Sequence, residues 1–107
     1  MKQVDALTTH EWLNNNEAVL IDVREQEEFD MCYIEGASLA PLSVLPQTIQ
    51  SITFPQGKKI VFQCLKGGRS AQAIDFLQEN ILKEHDLYNL EGGILAWVEA
   101  DLPVITG

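Results

Sequence analysis

The chain has 107 residues, of which 46% are hydrophobic and 21% charged, and it carries a net charge of −9. That length supports one hydrophobic core, and the composition excludes a disordered or fibrous chain. No apolar run approaches the ~20 residues of a membrane helix, and the acidic balance argues against nucleic acid or an anionic membrane as a partner. We read residues 1–107 as one domain. Met1-Lys2-Gln3-Val4-Asp5 contains no apolar leader-like segment, so a cytoplasmic location is expected.

Charge is unevenly spread. Between Glu35 and Asp75 there is no carboxylate, while Lys58, Lys59, Lys66 and Arg69 give that stretch +4 against −13 elsewhere. Cys32, Cys64, His10 and His85 fall at spacings that match no zinc pattern, and two cysteines make no disulfide framework. No metal or other cofactor is expected.

Along the chain, Thr8-Thr9-His10-Glu11 has the form of a capping box and predicts a helix from there to about Asn14. Asn14-Asn15-Asn16 breaks it. Ala18-Val19-Leu20-Ile21 is continuously apolar, as in a strand covered on both faces of a parallel sheet. Glu25 to Asp30 is helix-compatible, with a turn at Glu35-Gly36. Leu39 to Leu45, interrupted by Pro41 and followed by Pro46, reads as a short extended piece and then a helix to about Ser51.

Pro55-Gln56-Gly57 marks a turn before a second strand, Lys58 to Gln63. Ser70 is expected to open a helix whose Ala73, Ile74, Leu77 and Ile81 recur at the helical period. Asp86 to Leu90 reads as a third strand, followed by Gly92-Gly93 and a short helix with Ala96 and Trp97. The alternation points to an α/β fold with a mainly parallel central sheet of about five strands and helices on both faces.

The stretch with chemical content is Gln63-Cys64-Leu65-Lys66-Gly67-Gly68-Arg69-Ser70, between a buried strand and an amphipathic helix. Ligands of open parallel sheets bind beyond the carboxyl ends of the strands, where this loop lies. Its glycines let successive N–H groups face inward, and the helix start adds a positive dipole end, so the loop can cradle an anion. Cysteines are commonly inert core residues. Here Lys66, Arg69 and the backbone donors around Cys64 favour thiolate and hence a nucleophile.

Four segments, in order, resemble the single-domain rhodanese-like sulfurtransferases, over nearly the whole chain. Leu20-Ile21-Asp22-Val23-Arg24 with Glu28-Phe29 resembles the family's strand ending in Asp-Val-Arg and its later Glu-Phe. Tyr33-Ile34-Glu35-Gly36-Ala37 is similar to its His-Ile-Pro-Gly-Ala turn, with Tyr33 and Glu35 as departures. Cys64 to Ser70 resembles the active-site loop Cys-x-x-Gly-x-Arg-Ser, and Gly92-Gly93-Ile94-Leu95-Ala96-Trp97 the Gly-Gly-x-x-Ala-Trp signature.

The resemblance implies that Cys64 is catalytic. It would take a sulfane sulfur from thiosulfate or a related persulfide donor and pass it to a thiophilic acceptor, cyanide or a thiol. Leu65, Lys66, Gly67, Gly68, Arg69 and Ser70 would bind the anionic donor, with Asp22 and Arg24 as supporting residues. Asp22 could hold the loop through a backbone N–H or Arg69, or be structural; Arg24 reads mainly as an i,i+4 partner of Glu28.

Alternatives are a persulfide carrier serving a sulfur-relay protein, a binding adaptor, and a phosphatase or arsenate reductase. Those two enzymes enclose five residues between cysteine and arginine, whereas Cys64 and Arg69 enclose four. Cys32 could act as a resolving thiol, but reads better as a helix-end packing residue. His10 is expected at the surface, Trp12 and Trp97 in packing, and the chain as a monomer or weak dimer.

Overall fold

A strand whose every residue is apolar needs cover on both faces, and Ala18–Ile21 receives it. In the computed structural model, which describes residues 1–107, β2 (Ala18–Asp22) lies beside β5 (Lys59–Gln63), the middle strand of a five-stranded sheet. The other strands are β1 (Gln3–Val4), β4 (Ser38–Leu39) and β6 (Asp86–Leu90), in the order β1-β6-β5-β2-β4. All neighbours are parallel, with Leu20 opposite Val61 and Val61 opposite Tyr88. This is the expected α/β architecture. A separate antiparallel pair joins β3 (Cys32–Tyr33) to β7 (Ile105–Thr106).

Alternate side chains of each strand face opposite layers. On one face Ile21, Ile60, Phe62 and Cys64 pack on α3 (Leu45–Gln50) and α4 (Gly68–Glu79) through Leu45, Ile49, Ala73, Ile74 and Leu77. On the other, Leu20, Val61 and Leu90 meet α1 (Ala6–Asn14) and α5 (Gly93–Glu99) through Ala6, Ile94 and Trp97. Trp97 is fully buried and its Nε1 donates to the Pro103 carbonyl at 2.8 Å. The remaining helix, α2 (Gln26–Met31), closes on itself with a capping box of Glu25 and Glu28. No helix is long and apolar enough to cross a membrane.

Three expectations need correction. Asp5, not Thr8, caps α1: its carboxylate accepts the Thr8 N–H at 2.8 Å, and Thr9 turns its hydroxyl back to the Asp5 carbonyl. An aspartate three residues before a free N–H competes better than a threonine already inside the first turn. The helix after the loop opens at Gly68, two residues before Ser70, and ends at Glu79, so exposed Ile81 lies outside it while Leu82 completes the core. His10, expected at the surface, is half-buried there, packed edge-on against Trp97 with ring centroids 5.5 Å apart.

Replacing Asp5 by alanine should cost about 1 kcal/mol of stability, and Thr8→Ala distinctly less, as read from urea denaturation midpoints.

Candidate active site

The strand β5 ends at Gln63, so Cys64 is the first residue to leave the carboxyl edge of the sheet. The chain then curls. Gly67, at φ +118°, takes a backbone conformation open to glycine, and α4 begins at the next residue. The curl is pinned from the other side by the turn after β6. The Ile94 N–H donates to the Cys64 carbonyl at 2.9 Å and the Leu95 N–H to the Leu65 carbonyl at 3.2 Å. Gly93 sits so close that a Cβ there would lie 2.4 Å from the Leu65 oxygen and 2.5 Å from that of Cys64.

Inside the curl the Gly67 N–H donates to Cys64 Sγ at 3.0 Å, and the Ser70 hydroxyl lies 3.4 Å from the same sulfur. Cys64, Leu65, Lys66, Gly68 and Arg69 line an open hollow of about 340 Å³. Cys64 itself is only 1% exposed, so a reactant reaches its sulfur along that hollow. Burial pushes the thiol up, but the Ser70 hydroxyl and the backbone N–H groups of Ser70, Gly67 and Lys66 outweigh it, holding Cys64 below the usual thiol value. Neutral donors at the start of α4 thus provide the stabilisation expected of an anion cradle.

The cations contribute less than their sequence clustering suggests. Lys58 and Lys59 stand at the opposite end of β5, about 13 Å away along the strand. There Lys58 donates to Asn16 and Lys59 lies over the Trp12 ring. Arg69 is at the site, but its two terminal nitrogens grip Glu28 at 2.6 and 2.9 Å. Lys66 alone is exposed and unpaired at the rim.

Asp22 and Arg24 make no hydrogen bond to the loop. Arg24 forks onto the fully buried Asp22, with Nη2 2.8 Å from Oδ2, and donates to the Cys32 carbonyl at 2.8 Å. The expected Arg24–Glu28 pairing is absent because Glu28 faces Arg69. Cys32 ends α2 and packs in the apolar cluster on the sheet face opposite to Cys64, which favours its packing role. Tyr33 stacks on Phe29 with centroids 4.5 Å apart, pairs with Ile105 across β3 and β7, and leads into a turn at Glu35-Gly36.

The sequence reading gave Glu28 a different partner and did not single out Asn89. Glu28 is the partner of Arg69, and Asn89 of β6 joins the loop through Ser70 and Gly67. Asn89 had a signal, an amide in an otherwise largely apolar buried strand.

Comparison with known proteins agrees with this architecture. The family pattern described as rhodanese-like domain matches residues 5–100. The chain is 29% identical over 106 residues to a sulfurtransferase of Allochromatium vinosum, covering 98% of this chain and 95% of that one. It is 34% identical over 94 residues to the probable adenylyltransferase/sulfurtransferase MoeZ of Mycobacterium tuberculosis, covering 87% of this chain but only 24% of that protein. A rhodanese-related protein from Thermoplasma volcanium superposes with a TM-score of 0.84 at 28% identity, over 98% of both chains.

Two outcomes follow from the geometry. Gly93→Ala must drive a methyl into two carbonyls at an already left-handed φ of +61°, and should destabilise the fold by about 3 kcal/mol in urea denaturation. Glu28 is lowered from 4.5 to about 2, chiefly by its hydrogen bond from Arg69. A depressed carboxylate stabilises the fold above its unfolded value and loses that contribution as pH falls through its folded value. The stability deficit of Glu28→Gln should therefore be present at neutral pH, shrink below pH 4.5 and close near pH 2. With its loop, its sheet order and its sequence pattern in agreement, this chain belongs to the rhodanese-like domain family.

Proposed function

We propose that the protein is a sulfurtransferase that works through a persulfide on Cys64. The observation that carries this reading is the Gly67 N–H donating to Cys64 Sγ at the floor of an open hollow. A sulfur given that donor ionises more readily and can act as a nucleophile without a general base. Thiosulfate, a small dianion, fits a hollow whose rim offers Lys66 and whose floor offers backbone donors. The related persulfide donors share its anionic sulfane chemistry.

In the first half-reaction the Cys64 thiolate attacks the outer sulfur of thiosulfate. A new S–S bond forms, the old one breaks, and sulfite departs with the bonding electron pair. The same inward N–H groups then face the terminal sulfur of the persulfide anion. In the second half-reaction cyanide or a thiol attacks that outer sulfur, and Cys64 leaves as the thiolate. Asp22 and Arg24 serve this chemistry only by fixing the backbone at the end of β2 and the start of β3.

We place the reaction in the cytoplasm, with a small anionic donor and a thiophilic acceptor as partners. A sulfur-relay protein could present the acceptor thiol at the same rim. The sulfurtransferase names of the Allochromatium and Mycobacterium relatives support transfer over phosphate release.

Thiocyanate formation from thiosulfate and cyanide tests the reading. The wild type should turn over, and Cys64→Ser should lose at least about 10³-fold in rate. Hydrolysis of an aryl phosphate should stay at background for both. Undiminished transfer by the serine variant, or Cys64-dependent phosphate release, would overturn it.

A further inference from the structure

Asn89 stands outside the loop, on β6, opposite Phe62 in register, and is almost wholly buried. Its carboxamide makes two contacts with the loop. Nδ2 donates to the Gly67 carbonyl at 3.1 Å, and Oδ1 accepts the Ser70 hydroxyl at 2.5 Å. Reversing the amide would set its oxygen against the Gly67 oxygen, so the network admits one orientation.

A hydroxyl carries one proton. Ser70 Oγ has three acceptors within reach: Asn89 Oδ1 at 2.5 Å, the Gly67 carbonyl at 3.2 Å and Cys64 Sγ at 3.4 Å. The shortest contact takes the proton. That arrangement suits Cys64 as a thiol, whose S–H donates to Ser70 Oγ while Ser70 donates onward to Asn89. When the thiol ionises, its proton leaves to solvent and the Ser70 hydroxyl must swing from Asn89 to the sulfur. Asn89 Oδ1 is then buried without a donor, which carries a desolvation cost.

We propose that Asn89 is a positioning residue that competes with Cys64 for the Ser70 proton and so sets how readily the thiolate forms. The inference rests on Cys64 being the reacting thiol of the proposed function, and on nothing about the sulfur donor. Its use is a balance. Thiolate nucleophilicity falls as the thiol becomes more acidic, and attack is fastest when the thiol titrates near ambient pH. The charged groups around Cys64 are Arg69 of α4, balanced by Glu28 of α2, Lys66 of the loop, and Asp22 of β2, balanced by Arg24. None of them hydrogen-bonds Asn89, so a change there reaches the sulfur through Ser70 and Gly67.

The test is the pH dependence of iodoacetamide alkylation, read on the Cys64 peptide by mass spectrometry, which needs no sulfur donor. A protein that forms no persulfide would fail the proposed function without altering this readout. Asn89→Ala should lower the alkylation midpoint by about half a unit to one unit. In a Ser70→Ala background the same substitution should move it distinctly less, through Gly67 alone. Asn89→Asp keeps the acceptor and adds charge; it should raise the midpoint, and by less when Ser70 is absent, and it carries the test should Asn89→Ala not fold. A midpoint raised or unchanged in Asn89→Ala, or shifts by either variant that are equal with and without Ser70, would overturn the proposal.

Discussion

The site depends on one close approach, the backbone of the Gly92-Gly93 turn against the carbonyls of Cys64 and Leu65. No side chain fits between them. Two N–H groups from the start of α5 donate to the Cys64 and Leu65 carbonyls of the curling loop at the sheet edge. The C-terminal segment thereby holds the loop in the shape that turns the Gly67 N–H onto the sulfur. The buried Trp97, on the same short helix, anchors that turn to the opposite face of the sheet. Core packing and loop shape are thus coupled through seven residues of α5.

The electrostatic logic is a cradle of neutral donors in a strongly acidic protein. A free arginine at the floor would bind any small anion, but Arg69 is already clamped by Glu28. What remains for a ligand is directional, N–H groups that reward an atom placed at the sulfur, with Lys66 at the rim to draw anions in. The buried Asp22–Arg24 pair is a separate device. It ties the end of β2 to the Cys32 carbonyl and leaves no charge free to compete.

Much of this was legible in the sequence because it rests on local pattern. The apolar runs of β2 and β5, the strand at Asp86 to Leu90 and the glycines of the loop follow from periodicity and backbone freedom, and they lie where expected. Spacing along the chain misled where space brings other residues closer. Arg24 and Glu28 stand four apart, yet Arg24 turns back onto Asp22 and Glu28 reaches across to Arg69. The run of cations from Lys58 to Arg69 is cut in two by the length of β5. Two-residue edge strands such as β1 and β4 carry too few side chains to show a period. Asn89 lies 25 residues along from Cys64 and meets the loop only because β6 pairs beside β5.

The central claim is that Cys64, held by this cradle, carries the transferred sulfur. The direct measurement is the intact mass of the reduced protein after brief exposure to thiosulfate, with Cys64→Ser treated in parallel. A gain of one sulfur atom on the wild type alone, removed again by cyanide, is the expected result. No gain on the wild type, or an equal gain on the serine variant through Cys32, would contradict the account.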